Sequence, residues 1–314
     1  MRISVITPVY NESKGLPALL HEISDVCKNG AYEYEIIAVD DGSKDDSFKV
    51  LCEYAKKDPR IKVIRFRTNT GQTAAIAAGV AKATGDIVIP IDSDLENDPN
   101  DIPALLAKLD EGYDVVSGWR TSRWQDRWFT RRLPSALANW LISTVTGVPL
   151  HDYGCTLKAY RREFLADIRL YGEMHRFIPA YASWRGARVT EIPVSHRPRR
   201  YGRSHYGISR TFRVLLDLLL VAFLDRFMNR PIHFFGGLGF LSLSGGIAAG
   251  LIAIAFKIFD YKDFVETPLP ILSALLVIVG VQLIAMGVIA EIIMRTYYES
   301  QNKTPYSVRE TVNL

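Results

Sequence analysis

The chain predicts an α/β protein: a mostly parallel sheet with helices on both faces, followed by a hairpin of two apolar helices. Three observations carry this. Short Ile- and Val-rich runs alternate with amphipathic helical patterns as far as Ser117. Two stretches near the C-terminus, 232–256 and 268–290, contain no Asp, Glu, Lys or Arg. The apolar run 87–91 ends in Asp92-Ser93-Asp94-Leu95-Glu96, three acids spaced two apart.

The elements follow in order. Residues 3–6 read as a first strand, and Leu16, Leu19, Leu20, Ile23 and Val26 fall on one face of a helix. Residues 35–39 form the second strand. A helix over 45–57 carries acids in its first turn and lysines in its last, as the helix dipole prefers. A strand over 61–66, an Ala-rich helix over 72–83, a strand over 86–91, a helix over 101–111 and a strand over 113–117 complete the alternation.

Chemistry gathers at the strand ends. The first strand ends in Thr7-Pro8-Val9-Tyr10-Asn11-Glu12 and the second in Asp40-Asp41-Gly42-Ser43. Ligands of open α/β sheets bind beyond the carboxyl ends of the strands, so these tips share a rim with Asp92 and Asp94. Carboxylates there accept hydrogen bonds from base N–H groups and ribose hydroxyls. A divalent cation carrying phosphates suits the acidic run, because Mg²⁺ takes one or two carboxylates plus phosphate oxygens. The bland readings are a polar loop after Ile91 and a plain Asp-Gly turn at Asp41-Gly42; three such tips together disfavour both. No Gly-x-Gly-x-x-Gly follows a strand, so a dinucleotide-binding dehydrogenase lacks its phosphate loop, and no Gly-x-x-x-x-Gly-Lys-Ser/Thr occurs, which disfavours a P-loop nucleotidase.

A mean hydropathy of +0.05 hides a division between a charged N-terminal part and the apolar hairpin. Each apolar stretch is long enough to cross a hydrocarbon core of about 30 Å; the alternative is two buried helices of a soluble protein. Eight arginines lie between His196 and Arg230, before the first span. By the positive-inside rule the large domain and both termini are cytoplasmic, which makes a multi-pass protein of the inner (plasma) membrane. Met1-Arg2-Ile3-Ser4-Val5-Ile6 passes straight into a strand pattern, with no signal peptide before it. The three cysteines lack metal-ligand spacing and fit a reducing compartment. The net charge of +4 is modest, and with two spans a nucleic-acid partner is not expected.

The expected division is a domain over 1–206, a juxtamembrane helix over 207–230, a transmembrane hairpin over 231–294 and a cytoplasmic tail over 295–314. Between 119 and 147, Trp124, Trp128, Phe129 and Trp140 interleave with Arg123, Arg127, Arg131 and Arg132. That stretch suits either the membrane interface or a core-facing helix. Residues 208–228 are apolar but carry Asp217 and Asp225, which argues for a surface helix rather than a third span. Gly246 and Gly250 allow close helix approach, either between the two spans or between subunits of a homo-oligomer.

Together, Thr7-Pro8-Val9-Tyr10-Asn11-Glu12, Asp40-Asp41-Gly42-Ser43, Asn69-Thr70-Gly71-Gln72 and Asp92-Ser93-Asp94 resemble the motifs of family 2 glycosyltransferases with the GT-A fold, a Rossmann-like, mostly parallel sheet. Asp152-Tyr153-Gly154-Cys155, the stretch 197–205 and the hairpin narrow the resemblance to polyprenyl-phosphate glycosyltransferases. Within these it is nearest to bacterial enzymes that charge undecaprenyl phosphate with glucose or aminoarabinose, and more distantly similar to dolichol-phosphate mannose synthases.

The resemblance implies a UDP-sugar donor, glucose first, a polyprenyl-phosphate acceptor in the membrane, and Mg²⁺ or Mn²⁺. It implies inversion at the anomeric carbon. Pro8, Tyr10, Glu12 and Asp41 would line the nucleoside pocket, with Asp40, Asn69 and Gly71 beside them. Asp92 would face the sugar and diphosphate, Asp94 would be the firmest metal ligand, and Glu96 would stand where mannose synthases carry a metal-ligating Gln. Arg120 would lie near the donor sugar or acceptor phosphate, and Asp152 near the reacting centre as a positioning group or weak base. Arg127, Arg131, Arg200, Arg203 and His205 would meet the lipid phosphate, with His205 where Lys is frequent. Two other classes compete: a silent lipid-phosphate-binding scaffold, and a processive polysaccharide synthase. The latter commonly carries Gln-x-x-Arg-Trp, where this chain has only Ser183-Trp184-Arg185.

Overall fold

In a computed structural model the described residues are 1–121, 133–165, 174–198, 231–300 and 308–314. The chain divides into two compact units, Met1–Leu219 with Thr304–Leu314, and Leu220–Lys303. In the first unit the elements run β1 (Arg2–Val9), α1 (Leu16–Asn29), β2 (Glu33–Asp40), α2 (Ser47–Lys57), β3 (Ile61–Phe66), α3 (Gln72–Lys82), β4 (Ile87–Pro90), α4 (Ile102–Asp110) and β5 (Val115–Trp119). They continue with α5 (Leu133–Thr146), β6 (Lys158–Arg161), α6 (Ile178–Trp184) and β7 (Val189–Pro193). The second unit holds α7 (Pro231–Ile258) and α8 (Leu269–Ser300), after which β8 (Val308–Val312) rejoins the first.

The strands form one sheet in the order β7-β5-β6-β4-β1-β2-β3-β8. β1, β2, β3 and β4 are parallel, as the alternating pattern predicts. β6 inserts antiparallel between β4 and β5, and the sequence reading missed it: Lys158–Arg161 is short and has a charge at each end, so no apolar run marks it. Strand order reverses between β1 and β4, and the crevice of a doubly wound sheet opens at such a switch.

Alternation along the strands divides the core. Ile3, Val5, Ile36, Ala38 and Ile89 face one side, under Leu16, Leu19 and Ile23 of α1 and Leu105 of α4. Ile6, Ile37, Val39, Ile64 and Val88 face the other, under Ala75 and Ile76 of α3 and Ile178 of α6. Both faces are therefore covered, which explains the near-continuous apolar character of β1 and β2.

The tail expected as a separate cytoplasmic segment is in part a strand of this sheet. β8 pairs antiparallel with β3, Val63 opposite Val312 and Ile64 opposite Thr311. Asn313 follows with φ 61°, a left-handed conformation that Asn tolerates, and its amide donates to the carbonyls of Ala55 and Ile61. The edge of β3 is thereby closed.

A buried carboxylate fastens the sheet below the crevice. Glu35 of β2 accepts from the Ser4 hydroxyl at 2.5 Å, from the Thr84 amide at 2.7 Å and from its hydroxyl at 2.8 Å, with the Lys62 ammonium at 2.6 Å. Burial tends to raise its pKa, but Lys62, Ser4 and Thr84 more than reverse this and hold the carboxyl down to about 2. The folded pKa lies below the unfolded one, so this group stabilises the fold fully above about pH 4.5, and the contribution is lost as pH falls toward 2. We expect Glu35→Gln to flatten the acid limb of stability between those values, read as thermal midpoint against pH. An unchanged acid limb in the variant would remove Glu35 from this role.

In the second unit α7 and α8 form an antiparallel hairpin. Segments Phe234–Ile258 and Leu269–Ala290 are long and apolar enough to cross a membrane, and only 22% and 11% of their most apolar windows are buried within the protein. Core helices of a soluble protein would be mostly buried, so these faces fit lipid better than water. A Cβ on Gly246 would come within 3.0 Å of the Ser273 carbonyl, and one on Gly239 within 2.7 Å of the Gly280 carbonyl. The Ser273 hydroxyl donates to the Gly246 carbonyl at 2.7 Å. The small residues at 246 and 250 therefore pack the hairpin within one chain, the first of the two uses expected of them.

Candidate active site at the carboxyl rim of the sheet

Three strand tips are sewn together. The Asn11 and Glu12 amides, after β1, donate to the hydroxyls of Ser43 and Ser47, after β2. The Ser13 amide donates to Asp45, and the Lys44 amide to the Asn11 side chain. Asp45 also receives the Ser47 amide; this acid, expected inside the first turn of the helix, precedes α2 and braces the rim instead. Gly42 turns the chain at φ 68°, and a Cβ there would sit 2.8 Å from the Thr68 backbone, so only glycine lets the 68–71 loop approach.

The expected nucleoside residues separate on this rim. Tyr10 and Glu12 are half-buried at the tip of β1, Asn69 is exposed, Gly71 half-buried, and Pro8 is buried within β1 itself. Asp41 accepts from the Thr70 amide at 2.7 Å and the Gly71 amide at 2.8 Å, so it anchors the loop that bears Asn69 and Gly71. Burial pushes its carboxyl up against those two hydrogen bonds. Asp40 departs from expectation: it is fully buried, accepts from the Ser43 amide and lies 3.4 Å from Arg65. It supports the rim from beneath and offers no surface to a nucleotide.

The run after β4 has an alternating design. Ile91, Ser93, Leu95, Asn97 and Pro99 are buried, while Asp92, Asp94, Glu96 and Asp98 are each half-buried. Leu95 is held at φ 63° although its side chain lies in the core, an uncommon conformation for a bulky residue. That turn brings the Glu96 amide back onto the Asp94 carboxylate at 3.1 Å. The far end of the run is clamped from outside: the Arg197 amide donates to the Glu96 carbonyl, and its guanidinium bridges Glu22 and Asp98 at 2.7 and 2.6 Å.

Asp92 is the junction of the site. One oxygen accepts from the Gln72 amide group at 2.7 Å and the other from the Thr156 hydroxyl at 2.8 Å. Burial, then the neighbouring Asp94 charge, push its carboxyl up to about 6. Neither partner was assigned from the sequence. Gln72 ends one of the motifs quoted above, whereas nothing local marks Thr156.

Arg120 and Asp152 form a two-pronged ion pair, Nε–Oδ2 2.8 Å and Nη2–Oδ1 3.1 Å, with both residues at least nine-tenths buried. Burial works against the Arg120 charge, but Asp152 overcomes this and holds the guanidinium firmly protonated, and Asp92 adds to it. The Gly154 amide also donates to Asp152. Asp152 is thus a holder of Arg120. Beside this pair, Trp119 stacks on His151 with ring centroids 4.4 Å apart, and Glu191 accepts from the His151 amide.

Among the described residues no three His, Cys, Asp or Glu side chains form a set able to hold a metal ion. Asp94 and Glu96 are two half-buried carboxylates on one turn that could hold a metal. That fits a cation such as Mg²⁺ or Mn²⁺, which draws its remaining ligands from phosphates and water. Arg127, Arg131, Arg200, Arg203 and His205, together with the helix expected over 208–228, lie outside the described residues.

Comparison with known proteins agrees with this architecture. Residues 4–169 match the family described as glycosyl transferase family 2. A dodecaprenyl-phosphate galacturonate synthase of Rhizobium johnstonii is 39% identical over 99% of this chain and 93% of its own. Glucosyl-3-phosphoglycerate synthase of Mycobacterium tuberculosis, solved with Mn²⁺, UDP and phosphoglyceric acid, superposes with a TM-score of 0.54 at 20% identity, over 70% of this chain and 78% of its own. The same enzyme solved with Mn²⁺ and UDP-glucose gives a TM-score of 0.53 at 21% identity, over the same shares of the two chains. The GT-A fold expected from the motifs is the fold observed.

Proposed function

We propose that this chain, which belongs to glycosyl transferase family 2 and is a glycosyltransferase, moves a sugar from a UDP donor to the phosphate of a polyprenyl phosphate. One observation carries the reading: Asp92, bridged by Gln72 and Thr156, stands beside the Asp94–Glu96 carboxylates at the switch between β1 and β4. The two apolar helices support a lipid acceptor, because its tail stays in the bilayer while its phosphate meets the rim. The catalytic unit then faces the cytoplasm at the inner membrane.

In this reading a lipid-phosphate oxygen attacks the anomeric carbon, the bond to the diphosphate breaks, and UDP leaves. Direct displacement inverts the centre, giving a β-linked product from an α-linked donor. Tyr10, Glu12 and the loop bearing Asn69 and Gly71 hold the nucleoside, and Asp92 orients the sugar. Asp94 and Glu96 would hold a divalent cation, which would supply positive charge to the leaving diphosphate. Arg120, fixed by Asp152, directs a second positive charge at the reacting phosphates. The nucleophile is already anionic, so no strong base is needed, and Asp152 remains a positioning residue.

The name of the Rhizobium relative favours UDP-galacturonate over the UDP-glucose expected from the sequence. The test is a donor panel of UDP-galacturonate, UDP-glucose, UDP-formylaminoarabinose and GDP-mannose, each with undecaprenyl phosphate and Mg²⁺ or Mn²⁺. We expect the highest kcat/KM with UDP-galacturonate and a β-linked product. Use of GDP-mannose alone would overturn the uridine assignment. Lipid binding without sugar release from any donor would favour a scaffold.

A further inference from the structure

Lys158 is a charge that the mechanism above does not use. It opens β6, and only 2% of its surface is exposed. Its ammonium donates to the carbonyl of Tyr153 at 3.3 Å and to the carbonyl of Cys155. Burial works to lower its pKa, with Arg120 and Arg176 adding to this against Asp152. Removing an ammonium from water is costly, and two hydrogen bonds to neutral carbonyls repay that cost only in part. Stability is therefore a poor reason for a lysine here.

The loop it holds gives a better one. Asp152 grips Arg120 at one end of this pentapeptide, and Thr156 grips Asp92 at the other. Between them the Gly154 amide turns back onto Asp152. The two carbonyls that Lys158 draws inward belong to Tyr153 and Cys155, on either side of Gly154. Without a cation between them, two buried carbonyl oxygens lose their donor and repel each other. The loop would relax, moving Asp152 and Thr156 together.

We propose that Lys158 is a positioning residue whose buried ammonium fixes the 152–156 loop, and so sets Arg120 and Asp92 in register with one another. The inference rests on the glycosyl-transfer reading of the site and extends it to a residue that touches no substrate. A displacement of about 1 Å in such groups costs as much as 10²-fold in rate.

The test compares full-length Lys158→Met and Lys158→Gln with the parent protein in detergent, using whichever panel donor turns over. We expect both variants to fold, with Lys158→Met melting close to the parent, while kcat falls at least about 10-fold at unchanged donor KM. The kcat loss should be smaller when Asp152→Asn is already present, because both changes act on one loop. A parallel double-mutant cycle on the melting midpoint needs no donor: non-additive shifts for Lys158→Met and Asp152→Asn support the coupling even if the donor panel fails. Unchanged kcat in Lys158→Met overturns the proposal. So do losses of rate and stability that fall together and add to those of Asp152→Asn, and so does failure of both Lys158 variants to fold, which would make the residue purely structural.

Discussion

Asp94→Ala is expected to fold normally and to lose transfer by at least about 10³-fold in kcat/KM, which is about 4 kcal/mol at the transition state. The fold should survive because Asp94 lies beyond the last residue of β4, half-buried, where it accepts from the Glu96 amide two residues on. The reaction should not survive, because the leaving diphosphate would lose half of a two-carboxylate cation site. Glu96→Gln is the graded companion. It keeps an oxygen ligand but removes a charge, so its defect should be smaller and should recede as Mn²⁺ is raised. Transfer of labelled sugar to undecaprenyl phosphate, titrated with metal, reads both variants. Near-normal turnover by Asp94→Ala would remove the metal assignment from this carboxylate.

The second large effect is expected at the ion pair behind the rim. Asp152→Ala leaves the Arg120 guanidinium buried without its partner, which costs about 3–5 kcal/mol of stability. Arg120 is 5% exposed, so solvent cannot replace the lost carboxylate. Asp152→Asn retains an acceptor for one prong and should cost less. Arg120→Lys keeps the charge but not the two-pronged fork, and so should lower kcat more than stability. Denaturant midpoints together with kcat separate these cases. If Asp152→Ala proved as stable as the parent, the pair would be contributing nothing to the fold.

These two sites differ in how far the sequence revealed them. The acidic run after β4 was legible because an apolar strand that breaks into alternating carboxylates is a strong local signal, and the alternation survives as buried and half-buried positions. The parallel core was legible for the same reason: Ile36, Ile37 and Val39 need two covered faces. Long-range partnerships were not. Gln72 and Thr156 are polar residues with no periodicity to mark them, and they become site residues only when α3 and the loop before β6 meet at Asp92. Asp40 and Asp41 are neighbours in one motif, yet the strand pleat sends their side chains to opposite sides, one beneath the rim and one onto the Thr70–Gly71 amides. Arg120 and Asp152 were singled out separately; that they neutralise each other is a property of the fold alone.

β8 constrains how the chain threads a bilayer. The sheet takes seven strands from before the apolar hairpin and one from after it. A hydrogen-bonded sheet cannot have strands on opposite sides of a membrane, so the chain must come back to the side it left. For a chain that crosses a membrane, the number of crossings between β7 and β8 would therefore have to be even. One span inserted without the other would pull Val308–Val312 off β3 and strip the Asn313 amide from Ala55 and Ile61. Parity, imposed by five residues at the end of the chain, thus turns an error of insertion into an error of folding.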